Sequence, residues 1–309
     1  MISTQFIGKT YAPTSYEIGR EKLRDFVIAT KADPKKFQEI VPPTFPVVYG
    51  QGLLSQVLFD SELNLNLAKL VHGEQEFIYH QPVRVGDVIT SSARIDKIYQ
   101  KGPHDFVVLT SEALNQKQEK VCDSIWTFII RGGNDNDFSF QEKLMVKFVS
   151  LMPPCPKAQA KQTKALNELM SKTGKGIALD RAQQDLLYYE STSATEAMMQ
   201  VFIDKYMPQV YAGASGDFNI IHLDEAFGRS VGLGGNILHG MATMALGANF
   251  AMHDHAPETI KRYRARFSAP VKPLDTITYK GSWSNKELKF KALNHKGEEV
   301  INSAVFEVY

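Results

Sequence analysis

From Glu76 to Arg131 apolar and polar residues alternate in four runs, EFIYHQPV, GDVITSSARIDKIY, FVVLTSEAL and VCDSIWTFIIR, interrupted at Gly102-Pro103 and by the polar stretch Asn115 to Lys120. A period of two with turn residues between the runs predicts antiparallel strands. Ahead of them the periodicity is helical. Residues 14–30, TSYEIGREKLRDFVIAT, place Leu23, Phe26 and Val27 on one face of a short amphipathic helix after a polar start. Val41-Pro42-Pro43-Thr44-Phe45-Pro46 is a stiff lead into the apolar segment Val47 to Leu58. The order is helix first and antiparallel sheet after.

The second half of the chain repeats this order. Gln81 to Thr90 (QPVRVGDVIT) aligns with Ala269 to Thr278 (APVKPLDTIT), and Ala113 to Val121 (ALNQKQEKV) with Ala292 to Val300 (ALNHKGEEV). The two offsets, 188 and 179 residues, differ by nine, so the second hairpin of the N-terminal half is nine residues longer. Two copies of one α+β unit are expected. The copies occupy residues 1–131 and 177–309, and residues 132–176, beginning GGNDND and rich in Pro, Gly, Lys, Asn and Gln, form a crossover linker with some helix between Ala158 and Lys172. Ser193-x-x-Glu196 has the pattern of a capping box, and Pro208 opens a new helix rather than continuing one. A further helix begins near Gly240. Its Gly240, Ala242, Ala245, Gly247, Ala248 and Ala251 make sense where a sheet presses close, because two helical glycines each cost about 1 kcal/mol relative to alanine.

Composition narrows the function classes. The chain of 309 residues is long enough for two domains, and a formal charge of +1 gives no electrostatic reason to expect nucleic acid or an anionic membrane as partner. Met1 to Gly19 has no apolar signal-type core and no run of eighteen apolar residues occurs, so a cytoplasmic protein is expected. Cys122 and Cys155 fit neither a redox nor a zinc spacing and read as ordinary thiols of a reducing compartment.

The chemistry concentrates in Tyr211 to Gly240, YAGASGDFNIIHLDEAFGRSVGLGGNILHG. Asp217 and His222 can hold and deprotonate a water. Asn219 stands between them, small residues Ala214, Ser215 and Gly216 precede them, and a glycine-rich loop, Gly232 to Gly235, leads to His239-Gly240 at a helix N-terminus. A free Gly240 N–H there can accept developing negative charge. Asp224 and Glu225 read as a solvated helix start. Each residue taken alone also has a plain reading. S-G-D-x-N is a good turn composition, and a histidine beside Ile220 and Ile221 is commonly a hydrogen-bonded core residue. A metal site is disfavoured: one carboxylate and one imidazole fall short of three protein ligands unless His239 completes the set. Lys261, Arg262, Arg264 and Arg266 form a strand-like run whose arginines share a face, either for a carrier phosphate or for solvent.

GDFNIIH followed closely by HGM resembles the MaoC-like (R)-specific enoyl-CoA hydratase/dehydratase family, hydratase 2. Its usual motif reads GDxNPxH with a small residue six positions after the histidine. Here Ile220 stands in place of the proline and Gly228 is the small residue. The resemblance implies an α+β double hot-dog, two repeats each with a long central helix wrapped by an antiparallel sheet. Its N-terminal half is similar to the N-terminal dehydratase domain of fused MaoC proteins, and the two similarities cover most of residues 5–131 and 208–309. It implies Asp217 and His222 as the catalytic pair, with Gly240 as oxyanion donor. Ser215, Gly216, Asn219 and His239 are assigned to substrate binding, Asn219 also holding the turn and His239 orienting the helix start. The expected reaction is reversible hydration of a trans-2-enoyl thioester to the (R)-3-hydroxyacyl thioester. The substrate is carried on coenzyme A or an acyl-carrier protein, with no metal or other cofactor, and a homodimer is left open. At the corresponding place the N-terminal copy reads ATKADPKKFQ, with no histidine until His72. One active site per chain is therefore expected, with the apolar segment Phe45 to Leu58 as wall of the acyl tunnel. Two alternatives are a hot-dog thioesterase, whose usual lone carboxylate on the central helix DFNIIH does not match, and a non-catalytic acyl-thioester-binding subunit.

Overall fold

The computed structural model describes residues 1–133, 187–191 and 196–309. Most of the linker assigned to 132–176, together with Cys155 and Ser193, lies outside the described residues. The N-terminal half comprises β1 (Thr10–Glu17), α1 (Arg20–Ala29), α2 (Pro46–Tyr49), α3 (Gln51–Leu58), β2 (Leu70–Tyr79), β3 (Val88–Lys101), β4 (His104–Leu114) and β5 (Lys120–Ile130). The C-terminal half comprises β6 (Leu187–Ser191), β7 (Glu196–Phe202), α4 (Met207–Ser215), α5 (Ile220–Leu223), α6 (Glu225–Ser230), α7 (Gly240–Ala251), β8 (Ile260–Phe267), β9 (Thr276–Ser284), β10 (Glu287–Leu293) and β11 (Glu299–Val308). The eleven strands of the described residues form one sheet, in the order β1-β3-β4-β5-β2-β8-β11-β10-β9-β7-β6. Read outward from its centre, the order is the same in both directions until β6. The fold is thus α+β, a double hot-dog.

The repeat seen in sequence is this symmetry. β3 and β9 begin 188 residues apart, and the β4–β5 and β10–β11 turns use one device 179 residues apart. Asn115 N–H donates to Glu119 O and Gln118 N–H to Asn115 O. In the same way Asn294 N–H donates to Glu298 O and Gly297 N–H to Asn294 O. The longer hairpin of the N-terminal half is Val88 to Leu114, against Thr276 to Leu293.

Two expectations about the chain order need correction. The helix placed over residues 14–30 occupies Arg20–Ala29 only, and residues 10–17 are strand β1. β1 is an edge strand on β3. Its register shifts between Tyr11 and Thr14, where Pro13 has no N–H to give, and edges and bulges are where a strand tolerates proline. Each half also opens with a strand before its helices, β1 and β7. The helix expected at Pro208 begins at Met207, with the proline in its first turn. The central helix of the N-terminal half is two segments meeting at Gly50, whereas α7 is continuous.

The halves join where β2 pairs antiparallel with β8, Phe77 opposite Tyr263 and Glu76 opposite Arg264. On the inner face of this seam Gln75, Phe77, Tyr263 and Ala265 are fully buried. On the outer face Arg262 Nε donates to Glu76 Oε1 at 2.6 Å and its Nη1 to Glu307 Oε1 at 2.8 Å, and Arg264 Nε donates to Glu74 Oε1 at 2.9 Å. The arginines do share a face, but Arg262 and Arg264 are engaged in ion pairs across the seam. A second connection runs through the helices. Lys36 Nζ donates to the carbonyls of Met252, His253 and His255 just past α7, and Asn249 Nδ2 to those of Thr30 and Lys31.

Every residue of α7 but Gly240 and Asn249 is buried, and the sheet wraps it closely. Tyr263 and Tyr279 donate their hydroxyls to Met244 O and Thr243 O, each at 2.7 Å. A Cβ on Gly247 would lie 2.7 Å from the Tyr263 hydroxyl and 3.1 Å from the Phe290 ring. No helix of the described residues is long and apolar enough to cross a membrane. The close approach predicts the sign of one substitution. Gly247→Ala gains about 1 kcal/mol of helix propensity, yet the collision is expected to exceed it and to leave the protein about 1–3 kcal/mol less stable by urea unfolding. Unchanged or increased stability would show that the sheet can give way here.

Candidate active site

α4 ends at Ser215 because Gly216 adopts φ 84°, a left-handed cap that glycine reaches without strain. The chain then turns through Asp217 and Asn219 by short side-chain bonds. Asp217 N–H donates to Ser215 Oγ at 3.2 Å, Asn219 N–H to Asp217 Oδ1 at 3.1 Å, and Ile221 N–H to Asn219 Oδ1 at 3.2 Å. Asn219 is thus the N-cap of α5, whose single turn carries His222. Ile220 takes the first helical position, where proline is favoured, and Asn219 before it has the extended ψ of 126° that a proline would demand. The side-chain cap supplies here the turn that the family's proline would pre-set. Asp224 caps α6 by accepting from Phe227 N–H at 2.8 Å. Gly228 is small of necessity, since a Cβ there would collide with the carbonyl of Gly235. This contact locks α6 against the glycine-rich loop, in which Gly232, Gly234 and Gly235 all have positive φ.

The loop brings His239 back as the residue preceding α7. Its ring stacks on that of His222, with centroids 3.6 Å apart and planes 24° from parallel. Each imidazole is fixed by one backbone carbonyl: His222 Nδ1–H donates to Ile237 O and His239 Nε2–H to Asp217 O, both at 2.9 Å. In the neutral rings this leaves His222 Nε2 and His239 Nδ1 with free lone pairs, and the latter is buried with no partner among the described residues. Asp217, His222 and His239 each present an atom within 4.8 Å of the others. That span suits a bridging water. A metal would need lone pairs converging at about 2.1 Å, and the two rings lie in planes only 24° from parallel, with centroids 3.6 Å apart.

The protonation states follow from burial. Burial pushes the His222 imidazole below its ordinary value, and pushes His239 down to about 3 with the help of its histidine neighbour. Burial alone would raise Asp217, but His239, His222 and the Asn219 N–H outweigh it and hold the carboxyl below the usual aspartate range. At neutral pH the site therefore contains one carboxylate and neutral imidazoles. The N–H groups of Gly240 and Met241 have no partner among the described residues, because the helix's first bonds run from Ala242 and Thr243 to His239 O.

Asp217, Asn219, His222, His239, Gly240 and Ser215 all border one cavity of about 460 Å³. Gly216 does not; it packs against Gln51, and Ser215 Oγ is spent on the turn. The opposite wall comes from the N-terminal half. Val47, Gln51, Leu54, Ser55 and Leu58 line the cavity from one face of α2 and α3, so the segment assigned to the tunnel contributes a face rather than its whole length. Sequence reasoning missed His72. It reaches the cavity from β2, stacks among Trp126, Phe128 and Phe267 at centroid distances of 5.2 to 5.7 Å, and is pushed by burial down to about 4. Only its strand pairing next to β8 brings it there.

The equivalent place in the N-terminal half, bordered by Pro46, Tyr79, Val83 and Val121, holds a space of about 40 Å³. Proline at the start of its helix has no N–H to offer.

Comparison with known proteins agrees with this architecture. Residues 5–124 match the family described as FAS1-like, dehydratase domain region, and residues 192–304 match the MaoC like domain. The UPF0336 protein of Saccharopolyspora erythraea is 33% identical over 144 residues, 42% of this chain and 92% of that protein, and the one from Thermobifida fusca is 32% identical over 144 residues, 42% of this chain and 95% of that protein. Among solved structures, a MaoC-like dehydratase superposes with a TM-score of 0.72 at 19% identity, covering 98% of both chains. The full-length peroxisomal multifunctional enzyme type 2 from Drosophila melanogaster gives 0.68 at 20%, covering 96% of this chain and 48% of that one. With a FAS1-like dehydratase region ahead of a MaoC-like domain on one double hot-dog, the chain belongs to the MaoC-like dehydratase family.

Proposed function

We propose that the protein is a hydro-lyase that reversibly adds water across the double bond of a trans-2-enoyl thioester, giving the (R)-3-hydroxyacyl thioester. The observation that carries this reading is the ionised Asp217 and the neutral His222, with a free Nε2, on one cavity beside the unbonded Gly240 N–H. Both groups begin without a proton to give; the free lone pair of Nε2 is the acceptor, so His222 acts as the base. The water bridges the two side chains; its oxygen bonds to C3 as Nε2 takes one proton, and the π electrons move toward the thioester carbonyl. Gly240 N–H, at the positive end of α7, stabilises the enolate-like oxygen. The imidazolium, held by the Asp217 charge, then returns the proton to C2, so that water is added whole. The handedness follows the family resemblance. The thioester already activates the double bond, so the reading requires no resident cofactor, and coenzyme A or a carrier protein serves as the thiol.

A thioesterase is less favoured, because α7 bears no carboxylate. The direct test mixes the purified protein with crotonyl-CoA and longer enoyl-CoAs and follows the loss of enoyl-thioester absorbance. Thiol release would instead identify a thioesterase, and binding without either reaction a non-catalytic subunit.

Asp217→Asn and His222→Ala are each expected to lower kcat by about 10²–10⁴ without unfolding the protein. The double variant should be little worse than either single one, since the pair acts on one water. Multiplicative losses would argue for separate roles.

The acid limb of kcat/KM is expected below pH 6.5. His222 must be neutral to act, its pKa is lowered, and protonation on acidification removes the base while leaving activity level above that value. A limb midpoint at or above 7 would contradict the assignment.

Leu58→Trp should shorten the acyl wall, so turnover of long enoyl chains should fall more than tenfold further than that of crotonyl-CoA, given about 0.8 kcal/mol per buried methylene. Equal losses for all chain lengths with a lowered Tm would assign Leu58 to core packing alone.

A further inference from the structure

The cavity lining extends beyond the groups that the proposed chemistry uses. From Gln51, which packs against Gly216, its wall follows α3 to Leu58, a run of about 10 Å at 1.5 Å per residue. Phe59, Leu67, Leu70, Phe106 and Phe128 continue the apolar lining. Two polar side chains also border it, Arg131 immediately after β5 and His104 at the start of β4, brought together by the pairing of Asp105 with Ile130.

Arg131 is the one lysine or arginine among the described lining residues, and Asp217, at the catalytic loop, is the one carboxylate. No described carboxylate forms an ion pair with Arg131. Its Nη2 reaches only the Val231 carbonyl, at a long 3.4 Å, and its Nε is buried without a hydrogen-bond partner among the described residues. A buried guanidinium N–H without an acceptor is costly, and a ligand that supplies the acceptor recovers that cost. His104 adds a second donor. Its Nδ1 accepts from Gly132 N–H at 3.0 Å, which places the proton of the neutral ring on Nε2.

We infer that Arg131 and His104 form an anion subsite of the cavity, which takes an oxyanion of the substrate, a carboxylate or a phosphate. The planar fork of a guanidinium matches either group with two parallel hydrogen bonds. The inference rests on reading the cavity as an acyl-thioester site. Two parts of such a substrate carry the chemistry, a carboxylate at the far end of the acyl chain and the phosphates of the carrier arm. The apolar lining of the cavity that Arg131 shares with Asp217 suits a hydrocarbon segment and favours the first.

Binding of three saturated thioesters, which lack the double bond and cannot be hydrated, separates the sources. Butyryl-CoA carries only carrier phosphates, adipoyl-pantetheine only a distal carboxylate, and butyryl-pantetheine neither. By calorimetric titration, Arg131→Gln is expected to weaken by about 10- to 100-fold the probe whose anion the subsite holds, and to leave butyryl-pantetheine unchanged. Loss on adipoyl-pantetheine identifies the acyl carboxylate; loss on butyryl-CoA identifies the carrier phosphate. Arg131→Lys should restore part of the affinity and, if the glutamine variant folds poorly, provides the comparison with His104→Ala. Equal affinities for wild type and variants, or equal loss on all three probes, overturns the subsite. An Arg131-dependent affinity in a protein that fails to hydrate enoyl thioesters would retain the subsite and remove the hydratase reading.

Discussion

The site depends on the pairing of β2 with β8. Five residue pairs, apolar within and ionic without, make one sheet of two half-sheets, and the cavity exists only because they do. Asp217, His222 and Gly240 belong to the C-terminal half, while α3, Trp126, Phe128 and His72 belong to the other. Neither half encloses the volume alone. The seam is held by backbone pairing and burial of Phe77 and Tyr263 in the first place; partly exposed ion pairs such as Arg264 with Glu74 add direction more than energy.

Within that frame the chemistry is set by desolvation. The imidazoles of His72, His222 and His239 share a buried volume with the one carboxylate, and burial lowers the pKa of each of the three. Two backbone carbonyls, of Ile237 and Asp217, then choose which ring nitrogen keeps its proton. The choice leaves His222 Nε2 as acceptor without a carboxylate to orient the ring. The Ile237 carbonyl and stacking on His239 do that instead, so His239 serves the site by geometry and Asn219 by capping.

Much of this was legible in sequence because it is local. The Asp217-to-Gly240 stretch works through contacts no more than 22 residues apart, and its spacing is itself the turn, cap and glycine packing seen in three dimensions. The repeat gave the sheet because equal turns, at Asn115 and Asn294, keep equal residues. What was not legible is long-range. β1 hid among polar residues because this edge strand buries none of its residues fully and tolerates Pro13. His72 sits in β2 ahead of Glu76, where the predicted strand pattern began, and acquires its place from the seam. The arginines of β8 looked free because their partners, Glu74 and Glu76, lie far back in the chain and Glu307 near its end. Gly216, read as substrate-binding, serves as a helix stop.

The contacts of Lys36 have a consequence for how the two copies relate. In the C-terminal copy, the residues that follow α4 deliver Asp217 and His222 toward the positive end of α7. In the N-terminal copy, the residues that follow the equivalent helix α1 deliver an ammonium group to the negative end of that same α7, where three carbonyls share it. The segment that lacks counterparts of Asp217 and His222 supplies the counter-charge of the helix whose other end presents the free Gly240 N–H. The two copies thus meet the two ends of one dipole: a C-terminal half on its own would keep Asp217 and His222 but lose the cation held just beyond the far end of α7.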